Sequence, residues 1–262
     1  MPSVIRICTA AILAMVSIAA HAADLAPAAP PPIAPEEFEK RWQVQGGLYL
    51  WGASVNGEVG AKGLGPADID MGFFEILEDL DFTVMAAAEA RYDRFGLFAD
   101  FIYLNMTDTK SILGGYVDVD ADLNLLSAAL MGEFRVLQQG RSSVDVMAGA
   151  RVWRVGGDVH AETVRGRSIR RSDSKSWVDP MVGLKGRWQG DQPFYATGWG
   201  MIGGVGVGAK LDWDVLGAVG YEFNEHISVL AGYRAIGIDY SDDGFELDAI
   251  MHGPVLSAIL RF

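Results

Sequence analysis

The chain has 262 residues and a formal net charge of -13; half of its residues (50%) are hydrophobic, and only one is a cysteine. The acidity argues against a nucleic-acid partner, because phosphate backbones attract basic surfaces. Beyond residue 22, no apolar run approaches the ~20 residues that a membrane-spanning helix requires, which excludes a helical membrane protein. Two classes remain: a soluble periplasmic β-protein and a membrane barrel whose apolar residues alternate along its strands.

The first residues have the features of an export signal. Residues 1–6 carry one positive charge, residues 7–20 are apolar, and Ala20-His21-Ala22 offers small residues at the positions that a signal peptidase reads. We therefore expect a signal peptide over 1–22 that is cleaved on export. The apolar stretch is shorter than the ~20 residues of a membrane anchor, which favours a signal over an anchor.

The segment after the signal predicts a tether and then one folded domain. Cys8 lies within the signal, so the mature chain is expected to have no disulfide and no cysteine metal site. Residues 23–40 are rich in proline and alanine, which favours an extended periplasmic linker. No second linker follows, and a single domain is expected over 41–262.

Alternating hydrophobicity predicts β-strands throughout this domain. In "SVDVMAGARVWRV", Val144, Val146 and Val152 share one face with two alanines, whereas Asp145 and Arg151 lie on the other. A helix would distribute these charges all around its surface. The same test predicts ten strands, at 41–55, 81–92, 95–106, 117–137, 143–156, 176–188, 193–205, 209–223, 227–240 and 247–262.

The connections between the expected strands alternate in length. "YDRFG", "QQGRSS", "QGDQP" and "NEH" are tight, and with both termini in the periplasm all four fall on the periplasmic side. The connections at 56–80, 107–116 and 157–175 are long, and those at 206–208 and 241–246 are shorter. Short periplasmic turns, longer external loops and an even strand number are typical of an outer-membrane barrel. The prediction is a closed antiparallel transmembrane β-barrel of about ten strands, with eight to twelve as the range.

The last strand carries an apolar face that ends on the final residue. Leu256, Ala258, Leu260 and Phe262 form this face, and Ser257 and Arg261 lie opposite. An apolar alternation that ends on phenylalanine resembles the signal that bacterial outer-membrane barrels present to their assembly machinery. An interfacial aromatic girdle is expected at the same end, from Trp42, Tyr92, Phe95, Trp188, Phe223 and Phe262.

Several longer stretches carry a broader resemblance. "LYLWGASVNGEVG", "DIDMGFFEILEDLDF", "RFGLFADFIYLNM", "WVDPMVGLKGRW" and "DGFELDAIMHGPVLSAILRF" resemble a poorly characterised family of Gram-negative outer-membrane barrel proteins, and more broadly the opacity or OmpA-like small barrels. The resemblance covers nearly all of 41–262. It implies an outer-membrane location and the barrel fold, and it brings neither catalytic residues nor a cofactor.

The inward faces of the expected strands hold charges of both signs. Bare charges in a narrow barrel are costly, so these residues should pair across strands. A salt-bridged polar core is the favoured interpretation, and a narrow aqueous path lined by both signs is the alternative. The residues are Glu89, Arg91, Asp100, Glu133, Arg135, Asp145, Arg151, Asp179, Lys185, Arg187, Asp212, Asp214, Glu222 and Arg234.

One strand places four oxygen-bearing side chains on a single face. Asp118, Asp120, Asp122 and Asn124 could hold Ca²⁺ or Mg²⁺, but a straight strand diverges from its ligand, so a solvated rim is favoured and no metal is predicted. Further along, the apolar phase shifts from odd to even positions, and a bulge near Leu125 would explain the shift.

The first long loop is expected to hold a short amphipathic helix. Asp70 would cap it, with Phe73, Leu77 and Leu80 on one side and acidic residues on the other. The helix could form a lid over the barrel mouth, pack on the rim or present a partner surface. Rim packing is favoured, because amphipathic spacing alone is common.

The third external loop concentrates positive charge in an acidic chain. Guanidinium groups suit phosphates, so the loop could bind lipopolysaccharide phosphates, or it could simply be a solvated loop. Its basic residues are Arg165, Arg167, Arg170, Arg171 and Lys175.

The residues give little support for catalysis. His252 has Asp248 four positions away, but residues at that spacing on a strand lie ~13 Å apart, so the pair forms no dyad. We therefore predict a monomeric outer-membrane barrel without enzymatic activity or cofactor, with a structural or surface-interaction role and with lipid, lipopolysaccharide and the assembly machinery as partners. A narrow porin-like channel is the alternative, and a hydrolase with a site at the extracellular rim is a distant one.

Overall fold

The computed structural model describes residues 42–61, 64–78, 80–112, 117–163 and 168–262. The predicted signal peptide and tether lie outside these residues. Among the residues described, no helix is long and apolar enough to cross a membrane. The elements in this part of the chain are β1 (Trp42–Trp51), β2 (Ser54–Ala61), β3 (Leu64–Met71), α1 (Phe73–Glu78), β4 (Leu80–Tyr92), β5 (Phe95–Ile112), β6 (Val117–Gln139), β7 (Ser142–Thr163), β8 (Ser168–Gln189), β9 (Phe194–Gly204), β10 (Leu211–Glu222), β11 (Ile227–Asp242) and β12 (Phe245–Arg261).

Ten of these strands form a closed ring. Strands β4 to β12 pair in chain order, each antiparallel to the next, and β1 pairs with both β4 and β12. Leu48 marks the closure, because it lies opposite Ala86 on one side and Ala258 on the other. The predicted closed antiparallel barrel of about ten strands is confirmed.

The outer surface of the barrel is an apolar belt. Side chains alternate in and out along each strand, and the outward positions are exposed; Leu48, for example, is 68% exposed. On β8 the belt runs from Val178 to Trp188, a length that matches the roughly 9–11 residues of a membrane-crossing strand. The belt includes Leu48, Leu50, Leu97, Phe101, Leu130, Val146, Val152, Val178, Val182, Leu184, Ile202, Val215, Val219, Leu256 and Leu260.

The two ends of the barrel differ in how the strands connect. Tight turns join β4 to β5, β6 to β7, β8 to β9 and β10 to β11 at one end, which we call the turn end; Trp42 and Phe262 lie there too. The other end is the hairpin end. Its β11–β12 turn is the two-residue Asp243-Gly244, with φ of 47° and 81°, and positive values at both positions suit the twist of the flanking strands.

Two of the predicted long loops are largely strand. β5 continues to Ile112 and β6 begins at Val117, and β7 continues to Thr163 where β8 begins at Ser168. The expected loops at 107–116 and 157–175 are therefore wrong for most of their length. These segments are polar on both faces, because strands beyond the apolar belt have no apolar face to bury. They therefore lack the alternation from which the strands were predicted.

The first predicted loop forms an outgrowth of the barrel wall. β12 pairs with β1 along 255–261 and with β2 along 246–252, and β3 pairs with β2 on the far side. β2 and β3 thus extend the sheet at the hairpin end, where the prediction placed only a loop with a helix.

The short helix α1 begins after Gly72 instead of Asp70. The Gly72 carbonyl accepts the first helical hydrogen bond from Ile76 N, and Glu75 Oε2 accepts from Gly72 N. This is half of a capping box. Asp70 belongs to β3 and accepts from Asn56 Nδ2 at 2.7 Å, so the predicted cap is wrong. The Phe73 ring packs at the rim, close to Gly52 and Pro254.

The predicted bulge near Leu125 is also wrong. The pairing of β6 with β5 and β7 is continuous through Leu125, and the register shifts between Arg135 and Leu137. Leu125 packs on an apolar cluster inside the barrel. The apolar positions change from odd to even along β6 because Leu125 packs inside the barrel, whereas Leu130 lies on the outer apolar belt.

Candidate functional site

A cluster of five charged side chains crosses the middle of the lumen. It consists of Asp100 on β5, Arg151 on β7, Asp212 and Asp214 on β10, and Arg234 on β11. Arg234 Nη2 lies 2.7 Å from both Asp100 Oδ1 and Asp214 Oδ2, and Arg151 Nη1 lies 2.7 Å from Asp212 Oδ1. Arg151 also bonds Asp214. We call this group the central ion cluster; none of its side chains is more than about 2% exposed.

Aromatic groups donate hydrogen bonds to all three carboxylates of this cluster, whereas Arg151 Nε is buried without a hydrogen-bond partner among the described residues. The Tyr49 hydroxyl donates to Asp100 Oδ2 at 3.0 Å, Trp153 Nε1 to Asp212 Oδ2 at 2.8 Å, and Trp199 Nε1 to Asp214 Oδ1 at 2.9 Å. Buried carboxylates need such donors, because each lone pair left unsatisfied away from water is costly. The sequence carried no signal for these partners, since they come together only when the barrel closes.

Apolar side chains fill the lumen around the central ion cluster. Trp177 stacks on Tyr240 with ring centroids 3.9 Å apart, and Trp177 Nε1 donates to Asp179 Oδ2 at 3.0 Å. Asp179 also accepts from Ala209 N at 2.6 Å, which fixes the β9–β10 connection. A second apolar group contains Phe98, Met131, Met147, Met181 and Met201. Together with the ion cluster, these side chains occupy the middle of the lumen.

The turn end is open by contrast. A cavity of about 740 Å³ lies there, lined largely by charged and amide side chains, and we call it the vestibule. A second cavity of about 110 Å³ shares Gln45, Glu89 and Lys185 with it and is also lined by Trp199 and Arg234. The two cavities together extend from the turn end to Arg234 of the central ion cluster.

One wall of the vestibule is electrically balanced. Lys185 Nζ lies 2.7 Å from Glu89 Oε2 and bonds Glu133 as well. Arg91 bonds Glu89, Glu133 and Asp145, and Arg135 Nε lies 2.9 Å from Asp145 Oδ1. Three carboxylates thus face three cations, all at most 14% exposed. We call this the balanced wall.

The other wall carries an excess of positive charge. Glu222 on β10 bonds Arg141, Arg187 and Arg261, and Gln189 Nε2 donates to it at 2.6 Å. We call this group the basic wall. Arg141 and Arg261 were not among the predicted lumen charges. Arg261 could have been found, because it lies on the face opposite Phe262, whereas Arg141 sits in a tight turn and reaches a residue 81 positions away.

The other predicted site residues are placed as follows. All fourteen predicted lumen charges face the inside of the barrel, in the central ion cluster, the two walls or beside Trp177. Leu256, Ala258, Leu260 and Phe262 all point outward, and Phe262 N donates to Val44 O at 2.8 Å.

The predicted basic loop is described in part. Arg165 and Arg167, and the side chains of Arg170 and Arg171, lie outside the described part of the chain. Lys175 Nζ lies 3.2 Å from Asp242 Oδ2. The hydrogen bond that Lys175 donates to Asp242 raises the pKa of Lys175 above its ordinary value. On the acidic face of β6, the side chains of Asp118 and Asp120 also lie outside the described part of the chain. Asp122 Oδ1 accepts a hydrogen bond from the Thr107 hydroxyl at 2.8 Å.

His252 lies on the outer surface with partners other than Asp248. Its Nδ1 lies 2.6 Å from the Tyr233 hydroxyl, and its Nε2 lies 3.2 Å from Asn56 Oδ1. Asn56 in turn donates to Asp70. The polar chain spans β11, β12, β2 and β3 at the upper edge of the apolar belt, and it offers no serine or cysteine nucleophile in contact with the imidazole among the contacts described.

No protein-family model matches the chain, and no curated protein matches it. Solved structures with a similar fold include the translocator domain of the autotransporter NalP from Neisseria meningitidis, at 12% identity over 85% of this chain and 89% of that chain, with a TM-score of 0.44. Another is the transport unit of the autotransporter AIDA-I from Escherichia coli, at 9% identity over 97% and 96%, with a TM-score of 0.40.

A third is Ail, the attachment invasion locus protein of Yersinia pestis, at 15% identity over 84% of this chain and 98% of that chain, with a TM-score of 0.35. Because each of these TM-scores is below 0.5, no property of these proteins is transferred to this chain. The closed barrel rests on its own strand register, in which β1 pairs with both β4 and β12.

Proposed function

We propose that the protein is an integral barrel of the bacterial outer membrane with a sealed lumen and a structural or surface-interaction role. The observation that carries the proposal is the combination of an outward apolar belt with the central ion cluster, whose Arg151 and Arg234 are at most 1% exposed. A passive pore needs a continuous aqueous path. A lumen filled by paired charges and aromatic rings supports a different use of the barrel, as a rigid support for the hairpins above it.

The proposal also sets an orientation. In outer-membrane barrels, the tight turns face the periplasm and the longer connections face outward. The turn end with its vestibule would then face the periplasm, and the extended hairpins β5–β6 and β7–β8 would stand outside. The aromatic residues Trp42, Phe95 and Trp188 at the turn end support this placement, because such rings favour the membrane interface.

Conductance of the protein in a planar lipid bilayer tests whether the lumen is sealed. We expect the refolded protein in a planar bilayer to give no discrete conductance steps, and to stay silent when residues 60–80 are removed, since this segment belongs to the rim and wall. Insertion is checked in the same sample by protection of the belt from protease. Discrete steps from folded, unmodified protein would contradict the proposal.

A gated channel is the second candidate, favoured by the vestibule of about 740 Å³ that leads toward the central ion cluster. Opening would require Arg151 and Arg234 to leave their carboxylate partners, which is costly for buried charges. Conductance that appears only above a threshold voltage would favour this candidate over a permanently sealed lumen.

For the external side, we propose lipopolysaccharide phosphates as ligands of the basic β7–β8 hairpin. Guanidinium groups match phosphate geometry, and Arg165, Arg167, Arg170, Arg171 and Lys175 are concentrated there. Substituting the four arginines by glutamine should weaken binding to lipopolysaccharide and leave binding to its dephosphorylated form unchanged. Equal binding of both forms by the unmodified protein would contradict this proposal.

A further inference from the structure

We propose that the basic wall of the vestibule is a binding site for a small organic anion that carries carboxylate or phosphate groups. The site is built from four strands or turns that meet at the turn end: Arg141 in the β6–β7 turn, Arg187 on β8, Glu222 at the end of β10 and Arg261 at the end of β12.

Charge balance is the first observation. Three guanidinium groups share Glu222 as their carboxylate partner among the ion pairs described, which leaves two positive charges in excess on this wall. The balanced wall beside it has matched its cations with Glu89, Glu133 and Asp145 and has no such excess. The other carboxylates that line the vestibule, Asp93 and Glu225, lie on the turns at its mouth.

Unused hydrogen-bonding capacity is the second observation. Arg261 Nε donates to Gln45 Oε1 at 3.2 Å, and Arg261 bonds Glu222 through Nη1. Its Nη2 is buried and has no hydrogen-bond partner among the described residues. A buried guanidinium nitrogen without an acceptor is costly, so a turn of the Arg261 side chain toward an anion in the vestibule would give this nitrogen the acceptor that it lacks.

Access and shape are the third observation. The side chains of Arg141, Arg187 and Arg261 are 55%, 23% and 22% exposed, whereas that of Glu222 is 7% exposed. The cations therefore face the cavity, and the carboxylate that organises them lies behind. Arg187 is held over the Tyr195 ring at 3.6 Å, which orders its planar group before a ligand arrives.

Together these features define the chemistry of the ligand. Guanidinium groups in a half-buried site favour planar or tetrahedral oxyanions, which accept two parallel hydrogen bonds. The cavity of about 740 Å³ admits a molecule much larger than a single phosphate. The ligand would enter from the turn end, because the residues that line the cavity include those of the tight turns, such as Asp93, Arg141 and Glu225.

The experiment measures binding of two probes, citrate and inorganic phosphate, to the refolded protein in a zwitterionic detergent at low salt, by titration calorimetry. We expect one or both probes to bind, with an affinity that falls as salt is added. The stronger of the two identifies the oxyanion class. Failure of both probes to bind would overturn the proposal.

Three variants locate the site. Arg261→Gln should weaken probe binding at least about tenfold, the loss typical of one charged hydrogen bond. Arg135→Gln on the balanced wall is the matched control; it removes a charge from the same cavity but no contact with the anion, and it should weaken binding far less than Arg261→Gln. Glu222→Gln should tighten binding, because it removes the carboxylate that competes for the three cations.

Folding is checked separately by resistance of the barrel to unfolding in cold sodium dodecyl sulfate. If Glu222→Gln or Arg261→Gln fails this check, Arg141→Gln replaces it, since Arg141 is more than half exposed in a turn and should fold normally. Unchanged binding in a folded Arg141→Gln or Arg261→Gln variant, or weaker binding in a folded Glu222→Gln variant, would overturn the proposal.

Discussion

The central ion cluster and the vestibule use the same residue types in opposite ways. In the central ion cluster, Arg151 and Arg234 are enclosed, and each meets two aspartates. In the vestibule, Arg187 and Arg261 border open space and share Glu222 with a third arginine. Burial forces each of these charges to have a partner of opposite sign, because an unpaired ion away from water is very costly. Exposure to a cavity relaxes this requirement, and three arginines can share one carboxylate there.

The largest effect is expected from breaking the central ion cluster. Arg234→Met leaves Asp100 and Asp214 without this cation in a dry site, and we expect it to lower the free energy of unfolding by about 3–5 kcal/mol. Urea unfolding of the protein in lipid vesicles, followed by tryptophan fluorescence, measures the change. Arg141→Met in the vestibule is the matched control and should cost far less. Equal losses in the two variants would remove the distinction between the two regions.

A charge placed on the apolar belt should come next in size. Val182 is 57% exposed on the outer face of β8, near the middle of the belt. We expect Val182→Arg to destabilise the barrel by about 2–4 kcal/mol in vesicles, the cost of a cation at the bilayer midplane. Val182→Ala is the control for the loss of the side chain. A Val182→Arg variant as stable as Val182→Ala would argue against a bilayer around this surface.

The balanced wall should respond less than the central ion cluster. Lys185→Met removes a partner of both Glu89 and Glu133, and water in the vestibule can solvate part of what is left. We expect a loss of about 1–3 kcal/mol, which should shrink as salt is added because salt screens the remaining charges. The same vesicle assay at low and high salt measures it. A loss of unfolding free energy as large as that of Arg234→Met would show that water is excluded from the balanced wall as fully as from the central ion cluster.

The smallest effect is expected at the hairpin end, where Lys175 meets Asp242. The pKa of Lys175 is raised above its usual 10.5 in the folded protein, so the pair contributes below pH 10.5 and its contribution is lost as the pH rises through the higher folded pKa. Lys175→Met should barely change the unfolding midpoint at neutral pH. Any difference from the unmodified protein should disappear in strongly alkaline solution, and a difference that grows there would contradict the assignment.

Much of the fold was predictable because a barrel repeats one rule. The alternation in segments such as 143–156 sets which side faces out, and the tight turns set which ends meet. The fourteen inward charges follow from the same alternation. The extension of the β5–β6 and β7–β8 hairpins beyond the belt was not predictable in this way. The backbone groups of a polar hairpin pair with each other, so the hairpin needs no apolar face that the sequence would show. The β2–β3 outgrowth was missed for a similar reason.

The site was less predictable than the fold, since it depends on distances across the lumen. Arg234 and Asp100 are 134 positions apart, and nothing local relates them. The division into an enclosed cluster and an open wall depends on where the aromatic side chains, such as Trp153 and Trp199, fill the lumen. The position along the barrel axis at which these side chains fill the lumen is set by the packing of all ten strands. The sequence of a single strand therefore does not reveal it.

The seam between β1 and β12 has a consequence for how the protein is made. Ser257 donates to the carbonyl of Leu48, 209 positions earlier, and β12 also pairs with β2. The ring cannot close until the last strand has been synthesised, and closing so long a loop is entropically slow. Until then, β1 and β11 each present an open strand edge that can pair with another chain. Truncation of the last strand should therefore leave a chain prone to aggregation instead of a smaller barrel.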